Sequence, residues 1–348
     1  MIYSSLDDLP SACGALFDEA GKSSFFHTLQ WYRNLVENGL PEGAKYRIYA
    51  IDGESGVEGM LPMMHDGKKR RLDSLANYYS SLFMPLVREA GNLRSLVDAL
   101  RDDEMKWEKI DFHPMDVDSP FFSGLIDALK RSGMIVIPYF CFGNWYLEVG
   151  GRTYKEYFET LPSKLKNTLK RKSKQLLSSP GTRLEIISEK GKLDEAIAAY
   201  QRVYNSSWKV PEPYPDFMPG LIRTCAEQGW LRLGLVHVDD EPVAAQVWMV
   251  KDGIASIYKL AYDERHAKLS AGSVLTSKLM EHVIDVDKVH EVDYLTGDDD
   301  YKKDWMSARR ERWGLVAYNK RTFRGFFEGM LNLAWKRYKG ARNGGTAA

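Results

Sequence analysis

The chain has 348 residues, 44% apolar and 28% charged, with 48 basic and 48 acidic side chains and a formal net charge of zero. That length exceeds what one hydrophobic core usually serves and predicts two domains, while the charge balance argues against a generic nucleic-acid binder and leaves only local basic runs to serve one. Cys13, Cys141 and Cys225 lie far apart, the seven histidines lack metal-ligand spacing, and no apolar run approaches a membrane span of about 20 residues. No disulfide framework, metal site or transmembrane segment is expected.

Met1 to Asp8 has neither the basic nor the apolar region of a signal peptide, so a cytoplasmic protein is expected. A helix is predicted over Phe25 to Asn38, from Phe26, Leu29, Tyr32, Leu35 and Val36. A hairpin follows, Tyr46 to Ile51 and Val57 to Met64, around Asp52-Gly53-Glu54-Ser55-Gly56. The plan recurs later, with helices near Leu193 to Tyr204 and Pro215 to Glu227, then strands Leu231 to Val238 and Val243 to Val250. The repeat predicts an α/β chain of mixed sheets in two similar units, 1–150 and 151–339, meeting near Phe140 to Gly151, where a strand (Trp145 to Val149) ends in Gly150-Gly151. A ligand site between such units is the expected location.

From Ser163 to Ser178, Leu165, Leu169 and Leu176 share one helical face and Lys164, Lys166, Lys170, Arg171, Lys172 and Lys174 cover the rest. No acid occurs between Glu159 and Glu185. The stretch Lys164–Lys174 is either a solvated face or a contact for an anionic partner.

The segment Ile254 to Trp305 is the richest in chemistry. It reads as a strand (Ile254 to Ala261), a loop ending in Ser270-Ala271-Gly272-Ser273, a helix carrying Val274, Leu275, Leu279 and Val283, and a second strand (Val289 to Thr296) ending in a polar and aromatic cluster. Main-chain amides at Gly272, Ser273 and Val274, with Ser270 or Ser273 as cap, are the candidate phosphate contacts at a helix start. The strand around Tyr258 and Leu260 is the candidate edge for an acyl carrier. Acyl transfer to an amine needs a stabilised oxyanion and a proton donor for the departing thiolate. At a strand's C-terminal end, Asp298, Asp299, Asp300 and Tyr301 are the candidates for proton transfer, with Glu264 or Tyr262 as outsiders, and Lys302 and Lys303 for binding phosphate or orienting a carboxylate; Asp298, Tyr301 and Lys302 form the expected catalytic set, although three consecutive acids also read as a hydrated loop. Beyond them, Asn319 to Lys339 forms a basic amphipathic helix that docks on its own domain or lies on a membrane, and 340–348 a disordered tail.

Leu161-Pro162-Ser163-Lys164-Leu165-Lys166-Asn167, Ala244-Ala245-Gln246, Tyr262-Asp263 with Ser270-Ala271-Gly272, and Asp293-Tyr294-Leu295-Thr296-Gly297-Asp298-Asp299-Asp300-Tyr301-Lys302 together resemble the acyl-CoA N-acyltransferase (GNAT) superfamily. Within it the chain resembles the CelD/BcsL-type acetyltransferases, relatives of the FemAB aminoacyl ligases. The resemblance implies a tandem of two GNAT-like domains, the second holding acyl-CoA as co-substrate. It also implies a small-molecule or glycan/peptidoglycan-type acceptor, reached from the cytoplasm or from the inner membrane surface. Lys268 to Ser273 keeps only Gly272 of the superfamily's carrier loop. The alternatives are a FemAB-like transferase using aminoacyl-tRNA, with the Lys164–Lys174 helix tracking phosphates, and a noncatalytic GNAT-like binding protein.

Overall fold

The computed structural model describes residues 1–53 and 56–344. Residues 54 and 55 of the expected turn, and 345–348 of the expected tail, lie outside these described residues. Two compact units are present, Met1–Phe142 with Glu311–Ala348, and Gly143–Arg310.

The first unit contains β1 (Ile2–Tyr3), α1 (Gly14–Gly21), α2 (Leu29–Asn38), β2 (Lys45–Gly53), β3 (Gly56–His65), β4 (Arg71–Ser74), β5 (Leu86–Val87), α3 (Leu93–Asp102), β6 (Lys109–Asp116), α4 (Pro120–Arg131) and most of β7 (Met134–Glu148). The predicted first helix begins four residues late because Thr28 caps it, its Oγ1 accepting the Trp31 amide at 3.2 Å. β2 and β3 form the expected hairpin. Leu93, Leu96, Val97 and Leu100 recur at helical spacing on α3 and pack with Phe122, Leu125 and Leu129 of α4 over Tyr49, Leu61 and Phe112.

The second unit adds α5 (Tyr154–Thr160), α6 (Ser163–Leu177), β8 (Thr182–Ile187), α7 (Leu193–Asn205), α8 (Phe217–Glu227), β9 (Leu231–Val238), β10 (Glu241–Lys251), β11 (Ile254–Tyr262), α9 (Ala271–Asp285) and β12 (Glu291–Asp293). Its strand order is the end of β7, then β12, β11, β10, β9 and β8. Every neighbouring pair is antiparallel except β11 and β12, which run parallel with α9 as their crossover. Val274, Leu275, Leu279, Met280 and Val283 of α9 are buried against Trp248, Ala255 and Ile257, each large side chain contributing roughly 1.5–3 kcal/mol.

Past residue 310 the division differs from the expected one. The last strand, β13 (Ala308–Asn319), pairs Arg312 to Tyr318 with β6, and its Leu315 and Ala317 enter the first unit's core. The chain therefore returns to the first unit, and the helix after it, α10 (Phe323–Gly344), goes with it. α10 runs to Gly344, into the stretch expected as a tail. No helix among the described residues is long and apolar enough to cross a membrane.

Candidate functional site

β11 and β12 diverge soon after they meet. Their parallel register covers only Ile254–Ser256 against Glu291–Asp293, while β11 continues to Tyr262. On its other side β11 pairs with β10, but the register jumps from Val247↔Lys259 to Trp248↔Ile257, so Tyr258 is the extra residue of a β-bulge. A bulge re-aims main-chain groups, and such irregularities gather next to binding sites. Tyr258 thus sits where the expected carrier edge becomes irregular. The neighbouring Leu260 packs its side chain against the core.

α9 starts at the C-terminal end of β11. Ser270 adopts φ 55°, in the left-handed region, and caps the helix through no side-chain hydrogen bond. The Val274 amide donates to the Ser270 carbonyl at 3.1 Å and the Val274 side chain is fully buried. Of the three expected amides, those of Gly272 and Ser273 therefore keep the position of unpaired helix-start donors. The turn is pinned from below by Gln246, whose Nε2 donates to the Gly272 carbonyl (2.9 Å) and to Thr276 Oγ1 (2.8 Å), while Trp248 Nε1 donates to Gln246 Oε1 (2.9 Å). From α6, Lys172 Nζ donates to the Lys268 carbonyl at 2.5 Å. The basic helix thus lies beside the loop, with part of its charge answered by Glu159, 3.0 Å from Lys166 and 3.9 Å from Lys170.

β12 ends earlier than predicted because Leu295 takes φ 54°, a conformation that costs a leucine of order 1–3 kcal/mol. A buried polar network holds it there. Asp293 Oδ1 accepts the Leu295 amide (2.6 Å) and Asn144 Nδ2 (2.5 Å), and Asn144 also donates to the Leu295 carbonyl (2.9 Å). Arg310 closes the network, 2.6 Å from both Asp293 and Glu291 and 2.8 Å from Asn144 Oδ1.

The turn that follows carries the three expected catalytic residues, and their environments separate them. Lys302 is only 4% exposed, and its ammonium donates to the carbonyls of Thr296 (2.6 Å) and Gly297 (3.2 Å) and lies 3.3 Å from Asp299. Burial lowers its pKa. Gly297 has φ 105°, a conformation available to glycine without strain. Asp298 accepts Arg309 Nη2 at 2.7 Å and Trp145 Nε1 at 2.8 Å, and the hydrogen bond from Arg309 holds its carboxyl below the usual range. Tyr301 stands edge-on to the buried Tyr294, and burial, with Asp299 adding to it, pushes its hydroxyl up to about 12. It keeps its proton at any working pH.

A second group of charges at this site has no counterpart in the sequence reading. Lys259, from the bulged part of β11, lies 3.1 Å from Glu212 and over the Tyr204 ring. Lys209, in the loop between α7 and α8, lies over both Tyr204 and Trp208. Burial first, then the charge of Lys259, brings Lys209 down to about 8, and Glu212, Lys302 and Asp299 also act on it. Trp208 in turn packs on Tyr262. The signal available was one lysine inside the apolar strand Ala255 to Tyr262, and it pointed to no partner.

Residues 163–303 match the family profile described as "Acetyltransferase (GNAT) domain". No curated protein matches the chain. Among solved structures, FemX is similar over 89% of this chain and 96% of its own, at 12% identity and a TM-score of 0.61. A tandem GNAT protein from the clavulanic acid biosynthesis pathway is similar over 91% and 98%, at 11% identity and a TM-score of 0.52. A DUF2156 domain from Agrobacterium fabrum is similar over 82% and 87%, at 13% identity and a TM-score of 0.51. The chain therefore has the tandem GNAT fold expected from its sequence, and its second unit carries a GNAT-type transferase domain.

Proposed function

We propose that this chain, with its GNAT transferase domain at 163–303, moves an acyl group from acyl-CoA to an amine or hydroxyl of a sugar or cell-envelope precursor, in the manner of the CelD/BcsL-type enzymes. The observation that carries this reading is the bulge at Tyr258, beside parallel strands that diverge and a helix start whose side chains leave its amides uncapped. Acyl-CoA, when bound, supplies the activated thioester. Gly272 and Ser273 offer amides to its phosphates at the positive end of α9, and Lys172 and its neighbours on α6 add positive charge. The irregular main chain at Tyr258 and Leu260 offers hydrogen bonds where negative charge develops on the acyl oxygen.

Tyr301, protonated at neutral pH, is the proposed proton donor to the leaving thiolate. Lys209, whose amine is partly neutral near pH 8, is the proposed proton acceptor for the attacking group. Lys302 holds the Gly297 turn, and Asp298 fixes Arg309 at its rim. Calorimetric titration with acetyl-CoA tests the proposal. Binding in the wild type that is lost in Gly272→Trp supports it, and no heat in either protein overturns it.

A second reading has its own support. The likeness to FemX over most of the chain and the lysines of α6 beside the carrier loop favour transfer of an amino acid from aminoacyl-tRNA. Binding of charged tRNA that weakens steeply with salt, with no acetyl-CoA binding, would select it. A cytoplasmic location with peripheral attachment to the inner membrane suits either acceptor.

A further inference from the structure

α10 is amphipathic with its sides reversed from the usual arrangement. The side facing the first unit is small: Gly325 and Gly329 are buried, and Leu333, one turn further on, packs into the cluster of Ile135, Ile137, Val316 and Tyr318. A Cβ at Gly329 would lie 2.8 Å from Ile135 and 2.9 Å from Tyr318, and one at Gly325 would lie 2.7 Å from the Glu108 carbonyl. The helix can approach this closely only because these positions lack side chains. Lys336 donates to the Pro138 carbonyl at 2.9 Å on the same side. Residues 325, 329, 333 and 336 form one stripe at helical spacing, so the rotation of the helix is fixed.

The opposite side is then committed to solvent, and it is where the large apolar residues are. Phe323 is 90% exposed, and Phe326, Phe327, Met330, Leu331 and Trp335 are each between 47% and 58% exposed. Scattered exposed apolar side chains need no explanation, but a continuous row along several helical turns marks a contact surface. The charge says what the surface meets. Between Lys320 and Arg342 the sequence carries Lys320, Arg321, Arg324, Lys336, Arg337, Lys339 and Arg342 against the single acid Glu328, in a chain whose formal net charge is zero. Trp335 and Tyr338 stack on one another near the most basic end of the helix, and such amphipathic rings favour the headgroup level of a bilayer.

We propose that α10 is an anionic-lipid anchor. It lies in the plane of the bilayer, with its aromatic and aliphatic row inserted roughly 5–10 Å among headgroups and acyl chains and the net positive charge of the segment drawn to acidic lipid phosphates. This assigns the attachment to one helix and one lipid chemistry. It does not depend on the transferase reading, because it is argued from the residues of α10 alone.

Flotation of the full chain with phosphatidylglycerol/phosphatidylcholine vesicles tests it. Partitioning should fall more than about tenfold on pure phosphatidylcholine, and should be lost in the double variant Phe327→Glu with Leu331→Glu, whose circular dichroism and acetyl-CoA titration stay those of the wild type. The variant residues are exposed, so folding should survive; if this pair does misfold, Phe326→Ser with Met330→Ser replaces it. Equal binding to neutral vesicles, undiminished binding by the variants, or absence of binding together with a dimer by light scattering that the variants abolish would each overturn the proposal, the last by assigning the face to a second copy of the chain.

Discussion

Replacing Lys209 with methionine should make the protein more stable and less active. The ammonium of Lys209 is held largely out of water beside a second lysine, and its pKa falls from the ordinary 10.5 to about 8. At 1.36 kcal/mol per pH unit that drop corresponds to a penalty of about 3 kcal/mol on the charged form. The ammonium also lies 5.8 Å from the centroids of both Tyr204 and Trp208, contacts worth about 0.5–1 kcal/mol each at such sites. Methionine keeps the volume and loses both effects, so a net gain of about 2 kcal/mol at pH 7 is expected. The sign with pH follows from linkage. Between about pH 8 and 10.5 the folded protein binds fewer protons at Lys209 than the unfolded chain does, so wild-type stability rises with pH across that window. The excess stability of the variant should therefore be largest at and below pH 7 and vanish by about pH 10.5. Urea unfolding of both proteins at pH 7.0, 8.5 and 10 measures it. A variant no more stable at pH 7, or a difference between the two that does not change with pH, would refute the reasoning. Loss of transfer alongside the gain in stability would show that the buried amine is retained for function.

Other expectations follow from the same geometry. Arg310→Ala leaves Asp293 and Glu291 without their common cation, and a loss of about 3–5 kcal/mol in urea unfolding is expected, as for other broken buried pairs. Gln246→Leu strands the Trp248 indole and frees the first turn of α9, which should cost about 1–3 kcal/mol and weaken acetyl-CoA binding in calorimetry. Asp298→Asn should lower the transfer rate while leaving the melting temperature within a few degrees, since the Asp298–Arg309 pair is largely exposed; wild-type turnover in this variant would remove Asp298 from the mechanism.

The parts of the molecule that depend on local pattern could be read from the chain. Both hairpins, the basic helix α6, and the strand, loop and helix from Ile254 to Asp285 are set by alternation, by helical spacing and by turn residues, all of which act over a few positions. What could not be read depends on long-range pairing. Ala308–Asn319 becomes a strand because it finds β6 about two hundred residues earlier, and nothing in Arg309-Arg310-Glu311-Arg312 announces that partner. The unit boundary differs from the expected one for the same reason. Lys209 and Glu212 carry no local signal, because their neighbour Lys259 lies on a different element.

The Gly297 to Lys302 motif shows the same limit from the other side, since its residue types were visible but their division of labour was not. Three adjacent acids offered equal candidates for proton transfer. In the structure Asp298 is bound by Arg309 and Trp145, and its carboxyl is held below the usual range, so it is a poor proton acceptor near neutral pH. Lys302 spends its hydrogen bonds on the turn's own carbonyls. Tyr301, half exposed and protonated, is the member whose hydroxyl can exchange a proton with a bound group. If Tyr301 is the acid, Tyr301→Phe should lower kcat with little change in acetyl-CoA affinity, and the loss should persist from pH 6 to 9, because a hydroxyl raised to about 12 does not titrate there. A loss that appears only above pH 8 would instead assign the limiting proton transfer to Lys209.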